Sequence, residues 1–123
     1  MTEPPDATPE DRRQLLAELR REFARVLPGR LAALNEALDA CTDHFDRAVA
    51  ERFYFKAHAL MGTAASYGAT ELVEPAGRLA RLGQQWLERG ALSAAEIRVA
   101  GDGLTLLEGA VTAYQARVAN GTG

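Results

Sequence analysis

His58 is the side chain of this sequence whose type and setting are best suited to chemistry. It lies in the stretch HALMGTAASYG, within a segment that predicts a helix from about residue 44 to residue 67. At about 100° per residue, one broad sector of this helix collects its large and small apolar residues, Val49, Phe53, Ala57, Leu60, Ala64 and Tyr67. His58 lies about 160° from the centre of that sector. We therefore expect an imidazole that faces outward and can meet a reactant.

The outward side of the same helix is poor in charge. Around His58 it carries aromatic, thioether and small residues, namely Tyr54, Phe55, Met61, Gly62 and Ala65. Soluble bundles normally cover such a side with lysine and glutamate, and an exposed apolar patch indicates a contact surface.

Gly62 calls for a reason, because glycine inside a helix costs about 1 kcal/mol relative to alanine. One turn beyond His58, it leaves room for a large group on the imidazole or for the backbone of another protein. The alternative is that Gly62 permits close packing of a neighbouring helix.

The rest of the chain predicts the scaffold that holds this helix. The residues are 47% hydrophobic and 25% charged, as in ordinary soluble proteins, and few are β-branched, which favours helices. Five helices are expected, at about 8–27, 30–40, 44–67, 70–88 and 93–118, with the Pro28-Gly29 pair breaking or bending the first. Thr8 and Ser93 are expected as caps, Gly90 as a left-handed end, and 101–103 as a weak point. The fold class is all-α, an antiparallel four-helix bundle with an additional N-terminal helix.

The domain organisation is simple. At 123 residues the chain predicts one domain that can bury a core without disulfides or metals. We expect a flexible lead-in over residues 1–7, the bundle over 8–119 and a disordered tail over 120–123. The leading methionine and irregular lead-in favour a free-standing protein.

Several of these residues resemble the signature of the histidine-containing phosphotransfer (HPt) family of two-component phosphorelays. They are His58, Met61, Gly62, the small residues from Thr63 to Ser66, and Gly68. The helical pattern over residues 10–118 is also similar to that family. The resemblance implies that His58 accepts a phosphoryl group from a receiver-domain aspartate, or from a kinase, and relays it to a response regulator.

The resemblance also implies the partners, a response-regulator receiver domain or a hybrid histidine kinase, which would dock on the residues around His58. No cofactor is expected on this chain, because Mg²⁺ comes with the receiver. Such a protein is a phosphorelay intermediate and not a conventional enzyme. A self-contained kinase is excluded, since no glycine-rich nucleotide loop is present.

Met61 departs from the family, which usually has lysine at this position to neutralise the phosphoryl oxygens. Arg78 or Arg81, on the following helix, would substitute if they face the histidine, whereas Lys56 lies about 160° around its own helix. Two options stay open: slower or partner-dependent transfer, or a protein that keeps the docking surface without efficient transfer. We favour active transfer.

Other classes of function are disfavoured by composition. The net charge is −3 and no basic stripe is present, so nucleic acid is not an expected partner. No apolar run approaches the ~20 residues of a membrane span, and two histidines without a Glu-x-x-His pairing do not predict a metal site. A lone Cys41, expected in the core, suits a reducing compartment, and we expect the cytoplasm.

Two alternatives remain beside active transfer. One is a degenerate HPt protein, a helical adaptor that binds a receiver or kinase domain without chemistry. The other is a dimerisation bundle whose interface would shield the residues around His58, although a monomer is the expectation. His44 is expected at the surface and Trp86 in the core.

Overall fold

The structure, a computed structural model, describes residues 8–121 and places them in four α-helices. These are α1 (Pro9–Asp39), α2 (Arg47–Ser66), α3 (Thr70–Arg89) and α4 (Ala94–Ala119). No strand occurs between residues 8 and 121. The helices pack in a ring, α1 against α2 and α4, and α3 against α2 and α4. The predicted helical bundle is confirmed in this form, whereas the predicted lead-in (1–7) and the last two residues of the predicted tail lie outside the described residues.

The separate N-terminal helix is not confirmed, because α1 runs without a break through Pro28 and Gly29. Proline lacks the N–H that would bond to the carbonyl four residues earlier, which here belongs to Ala24. That carbonyl accepts a hydrogen bond from Nε2 of Gln115 on α4, at 3.1 Å. Because Leu27 and Leu34 on either side of the proline are both buried, packing also holds the two halves of α1 in line.

The predicted helix ends are largely confirmed. Thr8 and Ser93 each form a capping box at the start of α1 and α4. Gly90 ends α3 with a left-handed φ of 65°. The predicted start of α2 near residue 44 was early, because Asp46 is the N-cap and accepts from the N–H of Val49 at 3.2 Å. Residues 101–103, predicted as a weak point, lie inside α4.

The core lies between the four helices, and α2 contributes the residues predicted for it. Phe53, Ala57, Leu60 and Ala64 are buried, while Val49 and Tyr67 are half-buried. The ring of Phe53 stacks on that of Trp86, with centroids 5.3 Å apart, so α3 is fixed against the inner side of α2.

Glycines set how closely α2 and α3 approach. A Cβ built on Gly83 would stand 3.0 Å from Cβ and 3.1 Å from Cα of Tyr54. A Cβ on Gly77 would stand 3.1 Å from Sδ of Met61. Since residue 54 meets 83 and residue 61 meets 77, the two helices are antiparallel and their register is fixed over this stretch.

Two arginines from other helices hold the turn that joins α2 to α3, which we call the Tyr67–Gly68 turn. Arg20 of α1 donates from Nε to the carbonyl of Tyr67 at 3.2 Å. Arg117 of α4 donates to the carbonyl of Gly68 at 3.0 Å and pairs with Glu71 at 2.7 Å. Carbonyls at a helix end lack intrahelical partners, so these bonds satisfy the end of α2 and tie it to both neighbouring helices.

Candidate functional site

His58 lies near the middle of α2 on its solvent side, as the helical spacing predicts. Its side chain is exposed, and within the described part of the chain it makes no hydrogen bond and no ion pair. Both ring nitrogens are therefore available to a reactant, and no side chain of the described residues fixes the tautomer. An imidazole in this state can act as a nucleophile through the nitrogen that carries no hydrogen.

The five residues predicted around His58 share its side of α2, and we call the six together the His58 strip. Phe55, Gly62 and Ala65 are exposed, while Tyr54 and Met61 are half-buried. Phe55 keeps 60% of its surface exposed, which is unusual for a residue of this size. The strip is thus a real surface of the folded bundle, apolar apart from the imidazole and the tyrosine hydroxyl.

Tyr54 supports the imidazole and links it to the neighbouring helix. Its ring centroid lies 5.6 Å from that of His58 and 5.2 Å from that of Phe55. Tyr54 itself is held at its base by the close approach of Gly83 on α3. Because the histidine ring lies against a side chain that packs on α3, it occupies the α3 side of the strip.

Gly62 faces open space. A Cβ added there would have no atom within 4 Å beyond its own helix. The alternative that Gly62 permits close packing is therefore wrong. The close-packed glycines are Gly103 on α4, where an added Cβ would stand 2.9 Å from Cδ2 of Leu79, and Gly77 and Gly83 on α3. The sequence reasoning did not single out the two on α3. The sequence signal that could have identified Gly77 and Gly83 is that both lie within the strongly amphipathic helix α3.

Met61 lies next to α3, close to the side chain of Arg81. Its Sδ packs over Gly77, and Nη1 of Arg81 lies 3.8 Å from the same point above that glycine. Arg81 is exposed, and it has neither an ion pair nor a hydrogen bond among residues 8–121. The structure thus brings one of the two candidate arginines to the edge of the His58 strip with its charge uncommitted.

The other predicted cations are placed differently. Arg78 pairs with Glu74 one turn earlier on α3, at 2.5 Å, in an exposed ion pair. Lys56 lines a groove with Arg30 and Ala33 of α1, so it lies on the opposite flank of α2, as its spacing predicted.

Cys41 and His44 lie at the far end of the bundle, where they line a cavity of about 180 Å³ together with Leu92. Burial raises the pKa of the Cys41 thiol, and its Sγ donates to the carbonyl of Ala37 at 3.5 Å. A thiol kept protonated is a poor nucleophile. The core role predicted for Cys41 fits this setting.

Nowhere in the part of the chain that the structure describes do three or more His, Cys, Asp or Glu side chains converge in a way that would hold a metal ion. None of the four helices combines the length and the apolar character that crossing a bilayer requires.

The resemblance to the HPt family is an expectation from the sequence, carried by His58, Met61, Gly62, the residues from Thr63 to Ser66, and Gly68. No protein-family model matches the chain, and no curated protein or solved structure is significantly similar to it.

Proposed function

We propose that this chain is a histidine phosphotransfer protein that accepts a phosphoryl group on His58 and passes it to a response regulator. The observation that carries the proposal is an exposed imidazole that has no polar partner among residues 8–121 and lies in an apolar strip next to the open Gly62. A structural histidine is normally buried or hydrogen-bonded, because an unpaired polar group inside a protein is costly. Here the ring is supported from one side by Tyr54 and left free at its nitrogens.

The transfer step needs little from this chain beyond that nitrogen. The unprotonated ring nitrogen attacks the phosphorus of an aspartyl phosphate on the receiver. The P–N bond forms as the P–O bond breaks, the aspartate carboxylate leaves, and the other ring nitrogen keeps its hydrogen. Mg²⁺, which belongs to the receiver, would neutralise the carboxylate and the phosphoryl oxygens there. The reverse step hands the group to the next receiver.

Docking of the receiver is assigned to the exposed residues of the strip. Phe55 supplies a large apolar contact, and Gly62 and Ala65 let a partner backbone come close. Apolar residues of this kind dominate the centres of protein interfaces. In this proposal the chain works as a cytoplasmic monomer, an intermediate in a relay and not a self-contained kinase.

The decisive experiment compares substitutions of the two histidines of the chain, His58 and His44. The full chain is incubated with receiver domains phosphorylated by radiolabelled acetyl phosphate, and protein-bound label is tested for acid lability and alkali stability. Wild type and His44→Gln should take up the label and His58→Gln should not. Label retained in His58→Gln, or no label on wild type from any receiver, overturns the proposal.

A second candidate is a non-catalytic adaptor, and one observation favours it: the strip itself offers an apolar Met61 where a cation would help to hold a phosphoryl group. An adaptor would bind receivers as tightly in His58→Gln as in wild type and would take no label. Its docking surface is tested by calorimetry with Phe55→Ala against Leu106→Ala, an apolar residue of similar exposure (61%) on α4. Only Phe55→Ala should weaken receiver binding.

A further inference from the structure

A phosphoryl group on His58 would bring a charge that the His58 strip cannot neutralise. Such a group carries about −1.5 to −2 charges near neutral pH and presents strong acceptor oxygens. The five residues around His58 include no cation. A positive charge has to come from the neighbouring helix, and the register of α2 against α3 decides which residue of α3 is level with the imidazole.

That register places two arginines of α3, Arg78 and Arg81, alongside the part of α2 that contains His58. Gly83 meets Tyr54, and Gly77 meets Met61, so the stretch of α3 between the two glycines runs alongside the stretch of α2 that contains His58. Arg81 lies within it, one turn after Gly77. Its Nη1 approaches the point above Gly77 that Met61 covers, so the guanidinium lies on the rim of the α2–α3 contact that faces the strip.

The imidazole lies towards the same rim. Its ring packs against that of Tyr54, the residue that contacts α3 at Gly83. Met61 is half-buried and packs over Gly77, and the exposed side chain of Arg81 reaches the same point from α3. Arginine presents two N–H groups in a planar fork that matches phosphoryl oxygens.

The other two candidate cations, Arg78 and Lys56, are less well placed to bind a phosphoryl group on His58. Arg78 is held by Glu74 through an ion pair, and Lys56 lines the groove on the α1 flank of α2. We propose that Arg81 is the residue that binds the phosphoryl oxygens on His58, with Met61 as the apolar shelf beneath its side chain. This inference rests on the proposed function and assigns to α3 a positive charge that the His58 strip lacks.

The test uses inorganic phosphoramidate as the donor, so that receiver docking does not enter. The imidazole nitrogen attacks phosphorus, the P–N bond to ammonia breaks, and ammonia leaves as the phosphohistidine forms. The rate is followed by phosphorus NMR and by intact mass for wild type, Arg81→Met and Arg78→Met. Loss of one charge-assisted hydrogen bond predicts a rate about tenfold lower for Arg81→Met and within about twofold of wild type for Arg78→Met.

Two further measurements separate charge neutralisation from a structural effect. Adding salt should slow wild type more than Arg81→Met, because screening weakens only a charge that is still present. Met61→Lys placed in the Arg81→Met background should restore most of the lost rate, because it puts an ammonium beside the imidazole. Thermal unfolding should be unchanged in Arg81→Met, since this exposed arginine has no ion pair to lose.

The outcomes are distinguishable. If wild type forms no phosphohistidine with phosphoramidate or with any phosphorylated receiver, the proposed function fails and the role of Arg81 falls with it. If wild type is phosphorylated and Arg81→Met is as fast as Arg78→Met, with the same salt dependence, the assignment of Arg81 alone is overturned.

Discussion

Gly62 on α2 and Gly83 on α3 are both glycines inside helices, and their surroundings are opposite. Beyond its own helix, Gly62 would meet no atom within 4 Å of an added Cβ, whereas Gly83 would meet the backbone of Tyr54 at 3.1 Å. One glycine leaves a surface open, and the other lets two helices touch. Both carry the same intrinsic cost of about 1 kcal/mol, so each must be explained by what its missing side chain permits.

The contrast extends to the polar groups of the two regions. At the C-terminal end of α2, the carbonyls of the Tyr67–Gly68 turn accept hydrogen bonds from Arg20 and Arg117. On the outer side, His58 has no such partner within residues 8–121. Polar groups that are paired stabilise the fold, but they are no longer available to a reactant. A nucleophile that is not hydrogen-bonded keeps its lone pair available. The polar groups that hold the end of α2 are thus different from the imidazole that would do chemistry in our proposal.

The largest expected effect is at the inner glycine. Gly83→Ala would force a Cβ against Cα and Cβ of Tyr54, which cannot move without shifting α2. We expect a loss of about 2 kcal/mol in the free energy of unfolding, after the helix-propensity gain of alanine is included. Urea denaturation measures it, with Gly109→Ala, at an open position of α4, as the control. A Gly83→Ala protein as stable as wild type would contradict the close contact.

The outer glycine should respond with the opposite sign. Gly62→Ala meets no neighbour, so the free energy of unfolding should rise by about 1 kcal/mol. The same substitution should lower the rate of phosphotransfer from a receiver, because it fills space beside the imidazole. Denaturation and label uptake are measured on the same preparation. A stabilised protein with an unchanged rate would show that the space at Gly62 is not used by the partner.

A smaller effect is expected at the ion pair beside the Tyr67–Gly68 turn. Hydrogen bonds from Arg117 hold the pKa of the Glu71 carboxyl below its usual value. A carboxyl whose pKa is lower in the folded state adds stability above its unfolded pKa and loses it as pH falls through the folded pKa. Glu71→Gln should therefore cost about 1 kcal/mol at pH 7, and its difference from wild type should narrow below about pH 4.

The control for that titration is Glu74→Gln on the same helix. Its pair with Arg78 is mostly exposed, so its removal should change stability by only about 0.3 kcal/mol. Unfolding curves at neutral and acidic pH test both variants. A cost for Glu71→Gln that stays constant down to pH 3 would be inconsistent with the lowered pKa.

Local rules were sufficient for much of the fold and for the exposure of the candidate site. Caps such as Thr8 and Ser93 depend on residues three positions apart, and the inner and outer sides of α2 follow from helical spacing alone. His58 could be placed on the surface for that reason. These features are readable in sequence because the atoms that determine them are neighbours along the chain.

What the sequence did not predict depends on residues far apart in the chain. The choice between Arg78 and Arg81 required the contact of Met61 with Gly77, because Nη1 of Arg81 lies near the same point above that glycine. The packing roles of Gly77 and Gly83 depend on Met61 and Tyr54, which lie 16 and 29 residues earlier in the chain. Pro28 was expected to break or bend α1 because the residue that compensates for it, Gln115, comes from the last helix.

That compensation offers a further test and extends the comparison to α1. The Ala24 carbonyl, which Pro28 deprives of its helical partner, accepts from Gln115 instead. Gln115→Ala should lower the free energy of unfolding by about 0.5–1 kcal/mol, the net value of one such hydrogen bond. In a Pro28→Ala background the backbone N–H returns to Ala24, so the same substitution should cost less. A double-mutant cycle measures this coupling, and equal costs in both backgrounds would mean that Gln115 does not substitute for the missing bond.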